Sequence, residues 1–147
     1  MPRRPSILLF CSALLLCACE PDPRNDAQLF LDRVQRIDLD APSAERRTLV
    51  EALATLPLAS EEVRSARNAC VEAHRTLLRA ETLHVEARDR LRAYENDESR
   101  IPITERQRIE RAISGSSQAL EQSHGLFARC ERAKRDLELR YRRRARQ

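Results

Sequence analysis

The sequence predicts an all-α fold: a long antiparallel helical hairpin over about residues 59–96 and 104–146, stapled by a disulfide, with two short N-terminal helices packed on it. Three observations carry this. Small and apolar residues recur at alternating steps of three and four from Val63 to Tyr94, and again from Ile109 to Tyr141. That is the narrow stripe of a coiled-coil-like helix. A polar break, Asn96-Asp97-Glu98-Ser99-Arg100-Ile101-Pro102, separates the two series, and Cys70 and Cys130 stand 30 residues to either side of Arg100. Composition agrees: 34% of the 147 residues are charged, only 2 are glycine and none is tryptophan, as in a solvent-laced helical bundle rather than a β-domain.

Residues 1–18 read as a signal peptide outside the fold. Arg3 and Arg4 give a positive start, and Ile7 to Leu16 is an apolar run too short to span a bilayer. The run ends in Leu16-Cys17-Ala18-Cys19, which resembles the lipobox of bacterial lipoproteins: an aliphatic residue, two small ones and the obligatory cysteine. Cys17 is an unusual but small occupant of its position. The resemblance covers about the first twenty residues and implies cleavage before Cys19, then acylation of its thiol and amine, palmitate included. Several acyl chains anchor a protein stably. Glu20 follows, where in that family an aspartate favours retention in the inner membrane, so the resemblance implies the outer membrane with the body in the periplasm. The alternative is an ordinary signal peptide cut after Ala18, leaving a free thiol.

Cysteine arithmetic fits the lipoprotein reading. Of 5 cysteines, Cys11 and Cys17 leave with the signal and Cys19 takes lipid. Cys70 and Cys130 remain, and the periplasm is an oxidising compartment. The alternative for these two is a pair of unjoined core thiols. Removing Arg3 and Arg4 from the 27 basic residues leaves 25 against 23 acidic ones, so the formal charge of +4 overstates the basicity of the mature body.

Residues 19–24 are expected to form a lipid-anchored tether, and 25–147 a single helical-bundle domain. Asn25 or Asp26 is expected to cap a first helix carrying Leu29, Phe30, Val34 and Ile37. Ser43 is expected to cap a second, with Leu49, Val50, Leu53 and Leu56 as its apolar face, ended by Pro57. Ser60 caps the third, where Glu61 and Glu62 meet the helix dipole. This helix should run to about 55 Å at 1.5 Å per residue. Thr104 and Gln107 form a capping-box pattern for the fourth. The two short helices cannot stand alone and should dock near the open end, in a groove lined by Ala69, Leu83, Ala112, Ala119, Leu126 and Ala133.

If the hairpin turns at residue 100, facing residues have numbers summing to about 200. Predicted layers are Val63–Leu137, Cys70–Cys130, Ala73–Phe127, Leu77–Ser123, Ala80–Leu120, His84–Ser116, Ala87–Ile113 and Leu91–Ile109. Alanine at 66, 73, 80 and 87 predicts close approach of the backbones. Flanking charge pairs are expected between Arg67 and Glu131 and between Arg88 and Glu110. Ser114-Gly115-Ser116-Ser117 is a weak helical stretch where a bend or local loosening is expected.

The chain carries no Gly-rich phosphate loop, no Gly-x-Ser-x-Gly, no His-Glu-x-x-His and no Cys-x-x-Cys. No catalytic residues and no cofactor are expected. His84 falls on the seam opposite Ser116 and reads as a polar layer that fixes register. His74 and His124 are weak metal candidates on one flank, and closing such a site would need Glu81 or Cys70.

From Arg129 to the end the chain has nine basic and three acidic side chains. Arg140, Arg142, Arg143, Arg144 and Arg146 are candidates for contact with an anionic envelope surface, against the plain reading of a solvated helix end. Val71, Leu78 and Val85 form a second apolar stripe. It is covered by a short helix or else is a partner surface.

The expectation is therefore an outer-membrane-anchored periplasmic lipoprotein acting as a non-catalytic interaction or structural module. Its expected partners are the membrane, through lipid, and an envelope protein or anionic surface; nucleic acid is excluded by compartment. The alternatives are a pilotin-like chaperone of a secretion channel, on architecture alone, and an envelope ligand- or metal-binding protein using His74 and His124. A Braun-type peptidoglycan tether is disfavoured, since that family ends in lysine and this chain in Gln147.

Overall fold

The computed structural model describes residues 22–94 and 100–144, the side chains of 142–144 excepted. Within them lie four helices and no strand: α1 (Pro23–Val34), α2 (Ser43–Ala54), α3 (Glu61–Arg92) and α4 (Ile103–Arg144). The predicted leader 1–18, the lipidation residue Cys19, the tether up to Pro21, part of the break and Arg146 lie outside the described residues. α3 and α4 form the predicted hairpin, and α3, with 32 residues, is roughly 48 Å long at 1.5 Å per residue.

Local chemistry explains the starts. Asp22, not Asn25 or Asp26, caps α1: its carboxylate accepts from the Arg24 N–H at 2.9 Å, and Pro23 takes the first turn, where a missing N–H costs nothing. The helix thus takes in Pro23 and Arg24, which were assigned to the tether. Asp26 is used elsewhere. Its Oδ2 accepts from the backbone N–H groups of Ala59 and Ser60, both at 2.7 Å, and so ties α1 to the entry of α3. Ser43 is the first residue of α2 rather than its cap, and that helix has no side-chain cap. Ser60 caps α3 as predicted, accepting from Val63 N–H. Thr104 lies inside α4, whose first turn closes on the Pro102 carbonyl.

Close approach of α3 and α4 is the main determinant of packing. Ala66, Ala73, Ala80 and Ala87 are all buried. At this distance large side chains cannot lie between the backbones. The seam on α4 accordingly takes the small residues Ala112 and Ala119 and pushes their neighbours Ile113 and Leu120 out to solvent. This corrects four predicted layers: Ile113, Leu120 and Leu91 are exposed, and His84 is exposed rather than a buried register layer. Val63, Cys70, Leu137, Cys130, Ser123 and Ile109 are buried as expected. The serine-glycine stretch does not break α4. Instead Ser116 Oγ donates to Ala80 O across the seam at 2.9 Å. A Cβ on Gly115 would come within 3.2 Å of Leu83 Cδ1, so a larger residue there would make that side chain give way.

The predicted flanking pairs do not form. Arg67 donates to Leu56 O and Asn68, Arg88 turns to Asp89, and Glu131 is held by Lys134. The cross-hairpin pairs are Arg129–Glu72 and Arg140–Glu62 toward the open end and Arg90–Glu105 toward the turn.

α1 and α2 dock near the open end as expected, but not in the predicted groove. α1 bridges α3 and α4, while α2 packs on α3 and α1 alone. Phe30 of α1 and Val50 and Leu53 of α2 are fully enclosed with Val63, Cys70, Val71, Leu78 and Leu137. Burial of such side chains contributes about 1.5–3 kcal/mol each. The stripe offered as a partner surface is corrected accordingly: Val71 and Leu78 are buried in this core and only Val85 is left exposed.

Candidate functional site

The two cysteines that the spacing brought together are joined. Cys70 and Cys130 form a disulfide across the α3–α4 seam with Cα atoms 4.6 Å apart, within the range the bond needs. Both are sealed from solvent. Sixty residues separate them, so the bridge fixes the hairpin register and withdraws both thiols from nucleophilic or metal chemistry.

One turn along α3, His74 is buried with its ring edge-on to Phe127. Burial lowers its pKa to about 4, aided by the positive charges of Arg46 and Lys134 and opposed by Glu131. The imidazole is therefore neutral at pH 7. His124, the other weak metal candidate, is exposed on α4. The two groups that would have closed a site are occupied: Cys70 in the disulfide, Glu81 by Arg46. Among the described residues no group of three or more His, Cys, Asp or Glu is placed to hold a metal.

The side chain that organises the site is Arg46, which sequence reasoning passed over. It is only 5% exposed. Its Nε donates to Ala41 O at 2.9 Å, and its guanidinium pairs with Glu81 of α3. A signal was present: Arg46, Val50 and Leu53 share one face at steps of four and three, so the arginine stands at an apolar position of α2. Desolvating a cation is costly without a partner, and Glu81 supplies one.

Arg46 and Ser43 close one end of a cleft of about 560 Å³ between α2, α3 and α4, with Leu77, Ala80, Ser116 and Leu120 among its walls and His84 and Val85 at its edge. Ser116 Oγ is committed to Ala80 O, and Arg46 to Glu81. What remains is mainly apolar surface, with the exposed His84 at its rim. The cleft opens onto a longer face toward the turn, since Ile113 lies two turns from Leu120 on α4 and Leu91 two turns from His84 on α3. Val85, Leu91, Ile113 and Leu120 are each between 39% and 47% exposed. Such a surface can seat apolar side chains.

Of the basic-tail candidates, Arg140 is engaged by Glu62. The side chains of Arg142, Arg143 and Arg144, and all of Arg146, lie outside the described residues. No described helix is long and apolar enough to cross a membrane. No family model, no curated protein and no solved structure matches this chain.

Proposed function

We propose that the chain is a lipid-anchored protein of the bacterial cell envelope, held at the outer membrane by acylated Cys19, whose helical bundle is a non-catalytic interaction module in the periplasm. The observation that carries the interaction role is the apolar face beyond the α1–α2 corner, where Val85, Leu91, Ile113 and Leu120 stand open beside the cleft. A patch of this kind on a small domain marks a contact surface. The location draws support from the ordered leader, apolar run and Leu16-Cys17-Ala18-Cys19 box, and from a disulfide between Cys70 and Cys130 that an oxidising compartment maintains.

Metabolic labelling tests the anchor. In a Gram-negative host fed labelled palmitate, the full chain is expected to take up label and to fractionate with the outer membrane. Cys19→Ser should abolish labelling and accumulate a precursor longer by residues 1–18. Unlabelled wild-type protein would overturn the lipid reading, and label in the inner membrane would overturn the placement.

A further inference from the structure

Three parts of the chain meet at the open end of the hairpin. Asp26 of α1 holds the N–H groups of Ala59 and Ser60 at the entry of α3. Arg140 of α4 pairs with Glu62 of α3 just beyond them. The start of α1 and the last turns of α4 therefore lie together, far from the turn. α1 begins at Pro23, only four positions after Cys19. Four links of fully extended chain span at most about 14 Å. An acylated Cys19 would thus hold this end of the bundle within that reach of the bilayer surface.

Arg132, Arg135 and Leu139 follow one another at steps of three and four on α4, on the side away from the buried Cys130 and Leu137. All three are exposed, Leu139 by 55%. The nearby acids Glu131, Glu62 and Glu61 are taken by Lys134, Arg140 and Arg64. With those pairs counted as neutral, Arg24, Arg132 and Arg135 balance Asp22, Asp26 and Asp136 at this end. The sequence then adds arginines at 142, 143, 144 and 146 against Glu20 and Glu138, a positive surplus. Toward the turn the same stripe of α4 carries Glu110 and Glu121, with Arg111 at its edge. The surplus is therefore confined to the anchored end. We propose that the open end of the hairpin lies against anionic phospholipid headgroups of the leaflet that holds the anchor, with Leu139 in the headgroup layer and Arg132 and Arg135 on its phosphates. Arginine stems lie along the apolar boundary while their charged heads meet phosphate. The acidic stripe nearer the turn is repelled, so the hairpin rises from the surface and carries the apolar cleft away from it. This deepens the lipid-anchored reading and rests on acylation of Cys19.

The test uses the acylated chain purified from membranes and reconstituted in vesicles of phosphatidylglycerol and phosphatidylethanolamine. A fluorophore is attached through Leu139→Cys or, at the turn, through Ile103→Cys; Ile103 is 67% exposed. Cys19 being acylated and Cys70 joined to Cys130, the introduced thiol is the one that reacts. The label at 139 should be quenched by headgroup-nitroxide lipids and shielded from aqueous iodide, and the label at 103 the reverse. Arg132→Glu/Arg135→Glu should cut the lipid quenching at 139 about twofold or more, with unchanged helical circular dichroism; vesicles of phosphatidylcholine alone should cut it likewise. A label at 139 that iodide reaches as freely as one at 103, or lipid quenching that ignores both changes of charge, would overturn the placement while palmitate labelling leaves the anchor standing. Protein without an acyl chain would overturn the anchor and, with it, this placement.

Discussion

His74 stands edge-on to Phe127 across the α3–α4 seam, ring centroids 4.9 Å apart and planes at 85°. Such a pair adds about 0.5–1.5 kcal/mol beyond simple burial, and the burial that goes with it, aided by Arg46 and Lys134, favours the neutral imidazole. That makes stability depend on pH. The folded-state pKa is about 4, against 6.5 for the free side chain. The unfolded chain therefore binds the proton more readily between these values. The contribution of neutral His74 is complete above pH 6.5 and is lost as pH falls toward 4, by up to about 3 kcal/mol at 1.36 kcal/mol per unit. Urea unfolding at pH 7.5 and 4.5 should show this loss, reduced in His74→Gln. The carboxyls of Glu51 and Glu105, held low first by hydrogen bonds from Arg75 and Arg90, are expected to add to the loss in both proteins at the acid end.

Removing the staple should matter more than any one packing contact. A bridge closing a loop of 60 residues limits the unfolded chain by roughly 4 kcal/mol in loop-closure entropy. Cys70→Ala/Cys130→Ala is expected to lower the unfolding free energy by about that amount while leaving the helical signal intact. A loss below about 1 kcal/mol would show that the hairpin holds its register without it.

The two arginines of ion pairs that α2 makes with α3 should behave differently. Arg46 is enclosed, so Arg46→Ala leaves Ala41 O unpartnered and opens a hole beside Leu77; a loss of about 1–3 kcal/mol is expected. Arg75 and Glu51 meet in solvent, and Arg75→Ala should move the urea midpoint far less. Equal effects from both would contradict the burial assigned to Arg46.

Asp26 should act as a fastener rather than a cap. Asp26→Ala frees the N–H groups of Ala59 and Ser60 and is expected to cost about 1–2 kcal/mol, with faster amide exchange at the start of α3. Asp26→Asn, which keeps one accepting oxygen, should recover part of it. Exchange rising at the start of α1 alone would restore the capping role.

The hairpin and its bridge were legible because two cysteines lay at equal distances from one polar break and alanine recurred at every seventh position of α3. The face of α4 was not. Ala112 and Ile113, like Ala119 and Leu120, are adjacent, and hydrophobicity favours the larger of each pair for the seam. Close approach at Ala80, Ala87 and Gly115 selects the smaller, and that reversal creates the exposed apolar face. Arg46 was missed because a lone charge on an apolar helix face gains meaning only when its partner is located, and Glu81 is far away in sequence. Asp26 misled because a carboxylate near a helix start fits a cap equally well until the entry of α3 is seen beside it.

Peptide mass mapping of the protein purified from cell membranes, free thiols blocked and no reductant added, tests the central claim most directly. The account predicts an acylated N-terminal peptide beginning at Cys19 and a cross-linked peptide joining Cys70 to Cys130. An N terminus still carrying residues 1–18, with blocked thiols at both 70 and 130, would contradict it.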